Sequence, residues 1–144
     1  MDIQIIDKNF SAPVYGFSGI AINKNYTETG FRLMNKMWDL VRAHKLPHKG
    51  LNIWVYEGNK LFAGVELEDA PLIDTGLEVK SIDIVKYAYY KHIGPYQQIG
   101  SKGSQVLAEL KERGIETCSP YIEIYGHWTS DETKLETELI WCLN

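Results

Sequence analysis

Apolar residues along this chain recur with two alternating periods, and the alternation is itself repeated. VYGFSGIAIN (14–23), rich in β-branched and aromatic residues, reads as a strand. Over TETGFRLMNKMWDLVRAHK (27–45) the period lengthens. Phe31, Met34, Trp38 and Val41 stand three, four and three apart with Met37 alongside, the stripe of an amphipathic helix. Thr27 is the expected cap and Leu46-Pro47 the stop. LNIWVYEG (51–58) and LFAGVELE (61–68) then flank a Gly58-Asn59 turn as the strands of a hairpin.

The same order returns. SIDIVKYAYYKHIG (81–94) reads as a strand, Pro95 to Arg113 as a helix, and SPYIEIYG (119–126) with LETELIWCL (135–143) as a second strand pair. Pro95 suits a first helical position, where its missing N–H has no partner to lose, and Gly114 suits a helix end. Ile99, Val106, Leu107 and Leu110 mark the buried stripe. Gly100 and Gly103 each cost roughly 1 kcal/mol of helix propensity, which predicts close approach of helix backbone to sheet there. IWVYEG (53–58) matches IEIYGH (122–127), and GVEL (64–67) matches ETEL (136–139), so an internal repeat spans approximately 14–67 and 81–143. The expectation is a single α+β domain over 1–144. It consists of duplicated strand-helix-strand-strand units with pseudo-two-fold symmetry, an antiparallel sheet with two helices packed on one side, and a ligand cleft between the halves.

Alternation along each strand sorts the side chains into faces. Leu51, Ile53, Val55, Leu61, Val65 and Leu67, joined by Ile122 and Ile124, form an apolar face expected to carry the helices. The opposite positions are Asn52, Trp54, Tyr56, Phe62, Gly64, Glu66, Tyr121, Glu123, Tyr125 and Glu138. Carboxylates interleaved with rings on one face, drawn from both halves, point to a binding surface.

Composition narrows the chemistry. Nine tyrosines and four tryptophans are more rings than a core of this size needs, so some line a surface or cavity. Nineteen acidic against fifteen basic residues leave a charge of −4 and no Lys/Arg run, which argues against direct nucleic-acid binding. No segment approaches 18 uninterrupted apolar residues, and the N-terminus lacks a basic leader, so no membrane contact and a cytoplasmic location are expected. Cys118 and Cys142 lack metal-type spacing and read as small buried thiols. His44 and His48 have the spacing of a helical metal pair, but Pro47 breaks the helix and no third ligand follows; neither metal nor cofactor is expected. Nucleophile-elbow, phosphate-loop and zinc-hydrolase motifs are absent.

Three elements resemble a known family, the GyrI-like small-molecule-binding domain, also the effector-binding domain of AraC- and MerR-type multidrug regulators. They are His92-x-Gly94-Pro95-Tyr96, Tyr121-Ile122-Glu123-Ile124-Tyr125 and Thr137-Glu138-Leu139, and the duplicated element order extends the resemblance over nearly the whole chain. No DNA-binding helical module precedes residue 14, so a stand-alone form is expected. The resemblance implies a cleft that binds aromatic, often cationic, drug-like molecules over a glutamate, with Glu123 and Glu138 the matching positions and Tyr125 an adjacent ring. Trp54, Tyr56, Phe62, Glu66, Tyr89, Tyr96 and Tyr121 complete the candidate ligand set, and His92 reads as a hydrogen-bonding residue at the helix start. Rings attract cations through their π faces and stack on planar ligands. The expected function is sequestering or sensing of such compounds. Two alternatives stand beside it: a hydrolase of cyclopropane-bearing DNA-alkylating compounds, with Glu123 or Glu138 activating water, and an inhibitor that binds DNA gyrase. A transcriptional or gyrase partner is open on this reading.

Overall fold

The computed structural model describes all residues, Met1–Asn144. The elements are β1 Gln4–Ile6, β2 Phe10–Ile20, α1 Tyr26–Ala43, β3 His48–Glu57, β4 Lys60–Leu67, β5 Glu78–Ile84, β6 Tyr87–Ile93, α2 Ile99–Glu112, β7 Thr117–Tyr125 and β8 Glu136–Leu143. The strands form one antiparallel sheet in the order β1-β6-β8-β7-β3-β4-β2-β5. The fold is the expected α+β sheet with two helices. The predicted strand over 81–94 is two strands. Val85 and Lys86 let the chain leave the β2 edge and cross to β8, so that β5 and β6 lie in opposite halves of the sheet. The break leaves a trace in the sequence, since the apolar alternation steps from Ile82 and Ile84 to Tyr87 and Tyr89, a change of phase. Helix α2 is preceded by a 3-10 turn over Tyr96–Gln98.

The expected sorting of faces is corrected by register. The turn at Gly58-Asn59 pairs Glu57 with Lys60, so Tyr56 stands opposite Leu61, Trp54 opposite Ala63 and Val55 opposite Phe62. Directly opposed residues share a face, so Leu61, Val65 and Leu67 lie beneath the helices as expected, and it is β3, sorted one residue out of step with β4, whose side chains lie on the side opposite to the expected one. Likewise Glu123 opposes Leu139 whereas Glu138 opposes Ile124. The helices therefore cover the face that bears Trp54, Tyr56, Tyr121, Glu123 and Tyr125. Ile53, Val55, Ile122 and Ile124, expected beneath helices, lie on the helix-free face.

Helix α1 buries Thr29, Gly30, Leu33, Met37 and Val41 against Tyr15, Phe17, Leu61, Ala63 and Val65. This stripe is rotated from the expected one, and Phe31 is half exposed. A Cβ on Gly30 would fall within the Trp54 ring, so glycine admits the indole beneath the helix. Helix α2 sets Ile99, Val106 and Leu110 on Leu139, Trp141 and Leu143, while Leu107 turns outward. The helix-free face closes on an aliphatic cluster that includes Val14, Ile53, Val55, Ile122 and Ile140. There Phe10 near one end of the sheet meets Tyr87 near the other, edge to face at 6.0 Å, so the sheet curls around this cluster. Fully burying each such aliphatic side chain contributes about 1.5–3 kcal/mol. No helix is long and apolar enough to cross a membrane.

Candidate ligand-binding cleft

Strands β3 and β7 are neighbours at the middle of the sheet. Helix α1 lies over β2 and β4 and α2 over β6 and β8, which leaves a gap above the β3–β7 junction. Side chains two apart on a strand share a face, so Tyr121, Glu123 and Tyr125 rise together from β7 into this gap, and Tyr56 joins them from β3. Glu123 is 7% exposed. Its Oε1 accepts the hydroxyls of Tyr56, at 2.9 Å, and of Tyr125, while its Oε2 accepts that of Tyr121 at 2.7 Å. The protein's ion pairs all lie elsewhere.

Burying an unpaired carboxylate costs several kcal/mol, and hydrogen bonds to a charged group each return about 1.5–3 kcal/mol. Three phenols thus hold a carboxylate at the floor without a neutralising cation. The environment marks the phenols in turn. Burial, reinforced by the adjacent Glu123 carboxylate, pushes Tyr56, Tyr121 and Tyr125 well above the usual tyrosine range, so they keep their protons and donate. Burial also raises Tyr96.

Two cavities adjoin Glu123, and Tyr56, Ile99, Gly100 and Glu123 line both. The first, about 570 Å³, is walled by Phe31, Trp54, Tyr96, Tyr125 and Trp128. Its rings meet nearly at right angles: 86° for Phe31 and Trp54, 74° for Trp54 and Tyr125, 88° for Tyr96 and Tyr125. The Trp54 Nε1–H is buried and finds no acceptor in the protein, an unmet donor that costs about 1–3 kcal/mol. The second, about 500 Å³, is lined by Tyr121 and Trp141 from the sheet and by Gly103, Ser104 and Leu107 from α2.

Of the expected ligand residues, the fold brings Trp54, Tyr56, Tyr96, Tyr121, Glu123 and Tyr125 together. Phe62, Glu66, Tyr89 and Glu138 lie on the other face of the sheet, for the register reason given above. Phe62 is in the aliphatic cluster, and Glu66 is held by Lys49 at 3.2 Å. Glu138 stands opposite Lys91 beside Tyr89, whose phenol is pushed up to about 12 by partial burial and then by the Glu138 carboxylate. His92 is 1% exposed. Its Nε2 lies 3.0 Å from the Pro95 carbonyl, which can only accept, so the imidazole donates and fixes the turn that delivers Tyr96. A Cβ at Gly100 would meet nothing, so this glycine does not serve a close approach of helix to sheet, whereas one at Gly103 would stand 3.8 Å from Trp141, in ordinary contact with the ring on β8.

Sequence reasoning missed Phe31, Trp128 and Trp141 as cleft residues. Phe31 and Trp141 fitted core patterns. Trp128, 74% exposed, sits in the polar loop Gly126-His127-Trp128-Thr129-Ser130, where a large ring with no core to enter is itself a signal.

No protein-family profile matches the sequence, and no curated protein matches it. Among solved structures, the EcmrR C-terminal domain aligns with 100% of this chain and 99% of its own at a TM-score of 0.75 and 15% identity. In the EcmrR–DNA complex the match covers 57% of the EcmrR chain. SAV2435 bound to tetraphenylphosphonium aligns with 100% of this chain and 94% of its own, at 0.66 and 16%. A hydrolase from Listeria innocua aligns with 99% and 91%, at 0.60 and 9%. Likeness over whole chains at such low identity establishes the fold: the chain folds as its resemblance to GyrI-like small-molecule-binding domains implies, in common with the EcmrR C-terminal domain.

Proposed function

We propose that this chain binds lipophilic or planar aromatic cations in the gap between its two helices, and that it sequesters or senses them in the cytoplasm. One observation carries the reading: Glu123 is buried, held by three phenols, unpaired with any lysine or arginine, and walled by aromatic rings. A cation entering there gains the carboxylate and the π faces of perpendicular rings, each ring contributing about 0.5–2 kcal/mol depending on desolvation. The tetraphenylphosphonium bound by SAV2435 is a ligand of this kind on the same fold. The hydrolase alternative would use Glu123 as the base. A carboxylate offers about four lone-pair sites, and three are taken by phenols, which favours a fixed negative charge over a base presented to water. The gyrase-inhibitor alternative rests on the resemblance alone.

Rhodamine-like cations should quench tyrosine and tryptophan emission with micromolar affinity, about −8 kcal/mol, and anionic dyes of similar size should not. Equal binding of both signs would refute selection by the carboxylate. A cyclopropane-bearing compound should survive incubation with sub-stoichiometric protein. Ring-opened alcohol in molar excess over the protein, detected by mass spectrometry, would establish the hydrolase instead.

A further inference from the structure

The function proposed above leaves the chain's two cysteines unused, yet the fold brings them together. Cys118 on β7 and Cys142 on β8 are 24 residues apart in sequence, and the register sets them directly opposite one another. Opposed residues of an antiparallel pair share a face, with Cα atoms about 4.5–5.5 Å apart. A disulfide spans about 4.4–6.8 Å between Cα atoms, so one can form here without either strand moving far. The side chains already converge, with Sγ atoms 2.6 Å apart. Both residues are half-buried rather than sealed in the core, and no His, Asp or Glu completes a metal site with them. The pair closes the end of the β7–β8 ladder, beyond the irregularity that separates it from the Tyr121–Trp141 pair.

We propose that Cys118 and Cys142 form a redox modification site, a dithiol that low-molecular-weight disulfides convert into a cross-strand disulfide. The proposal is independent of the cation reading. Partial burial, then the neighbouring Cys118, pushes the Cys142 thiol up to about 11. Thiolate is the nucleophilic form, so Cys118 attacks first and Cys142 resolves. The Cys118 thiolate attacks one sulfur of the oxidant RSSR: the Cys118–SR bond forms, the S–S bond of RSSR breaks, and RS⁻ leaves to take up the proton that Cys118 gave. Cys142 then loses its proton and attacks the Cys118 sulfur, and the second RS group departs as RSH. Two electrons pass from the protein sulfurs, which are oxidised, to those of RSSR, which are reduced. The second step is intramolecular between opposed residues, so the mixed disulfide is short-lived. In a reducing compartment the bond is transient and forms under oxidative load. It closes a loop that contains Tyr121, Glu123 and Tyr125, tying the strand with the floor carboxylate to its neighbour.

Glutathione disulfide provides the test, in buffers of varied glutathione to glutathione-disulfide ratio, with acid quenching and mass spectrometry. The folded wild type should lose the mass of two hydrogens and carry no lasting glutathione adduct. Its equilibrium constant for oxidation should exceed that of the same chain unfolded in guanidinium by about tenfold or more. By linkage the same factor appears as added stability, so the oxidised protein should melt about 5–10 °C above the reduced one. Cys142→Ser should stop at a glutathione adduct on Cys118, and Cys118→Ser should react more slowly, because Cys142 keeps its proton. A lasting adduct on the wild type, a disulfide only between two chains, or thiols that resist glutathione disulfide while the protein is folded would overturn the proposal. So would an equilibrium constant no larger folded than unfolded. Faster reaction of Cys118→Ser than of Cys142→Ser would overturn the assignment of attacking and resolving thiols.

Discussion

Two glutamates on adjacent strands, Glu123 on β7 and Glu138 on β8, meet opposite fates because they lie on opposite faces of one sheet. Glu123 is buried among three phenols under the gap between the helices. Glu138 opposes Lys91 on the helix-free face and is more exposed. The same strand segments show the contrast throughout. Ile53, Val55, Ile122 and Ile124 make a dry aliphatic core on one side, and Asn52, Trp54, Tyr56, Tyr121, Glu123 and Tyr125 line the cleft on the other. Burial alone does not distinguish the faces. What does is that one satisfies itself with hydrocarbon, whereas the other keeps a carboxylate held by phenols with no cation beside it and an indole donor with no acceptor in the protein.

Alkali should break the cleft side most severely. Tyr56, Tyr121 and Tyr125 hold their protons more tightly folded than unfolded, so above about pH 10, the ordinary tyrosine value, the native state binds more protons and stability falls with rising pH. Absorbance at 295 nm should show the exposed tyrosines titrating first, and these three only together with loss of near-ultraviolet circular dichroism. Smooth ionisation of all nine tyrosines near pH 10 in a folded protein would contradict the buried triad. On the dry face, Ile122→Ala should cost about 2–5 kcal/mol of unfolding free energy, the usual price of a core cavity, with cation affinity unaffected in the folded fraction. A comparable loss of affinity would mean that the faces are not separable.

Binding should discriminate the two carboxylates directly. Glu123→Gln keeps the shape and removes the charge, so affinity for a rhodamine-like cation should fall by about 1.5–3 kcal/mol. Glu138→Gln should change it by less than about 0.5 kcal/mol, as for surface substitutions generally. Reversal of that order would move the site to the helix-free face.

The sequence carried the element order and most strand positions, because a change of apolar period is a local signal. It carried the ring-and-glutamate motif of β7 as well. It misplaced Phe62, Glu66, Tyr89 and Glu138, since face membership depends on register between strands, and a single step of error inverts a whole strand. The two-residue turn after Glu57 contained the information: it forces Tyr56 opposite Leu61. Phe31 was assigned to the core because neighbouring stripes of one helix are both apolar and only tertiary packing selects between them. The proposed repeat adds a further reading. If 53–58 correspond to 122–127, then Ile53 matches Ile122, Trp54 matches Glu123 and Val55 matches Ile124, and the observed pairs Ile53–Ile124, Trp54–Glu123 and Val55–Ile122 are those that a two-fold axis through Trp54 and Glu123 would produce. Superposition of 14–67 on 81–143 should bring those two residues together; a fit that separates them would exclude the axis.

The finest comparison lies inside the cleft, between the carboxylate and the phenols that hold it. Tyr121→Phe removes one donor to Oε2 and little volume. In the unliganded protein Glu123 then loses a hydrogen bond to its charge, so stability should fall by about 1.5 kcal/mol, read as a shift in the denaturant midpoint at constant slope. Cation binding should respond differently. A less shielded carboxylate attracts a cation at least as strongly, which offsets any disturbance of the ring, so affinity should change by no more than about 0.5 kcal/mol in either direction. Tyr89→Phe, on the other face, should leave affinity alone. A loss of affinity in Tyr121→Phe as large as that in Glu123→Gln, with stability unchanged, would show that the hydroxyl and not the charge receives the ligand.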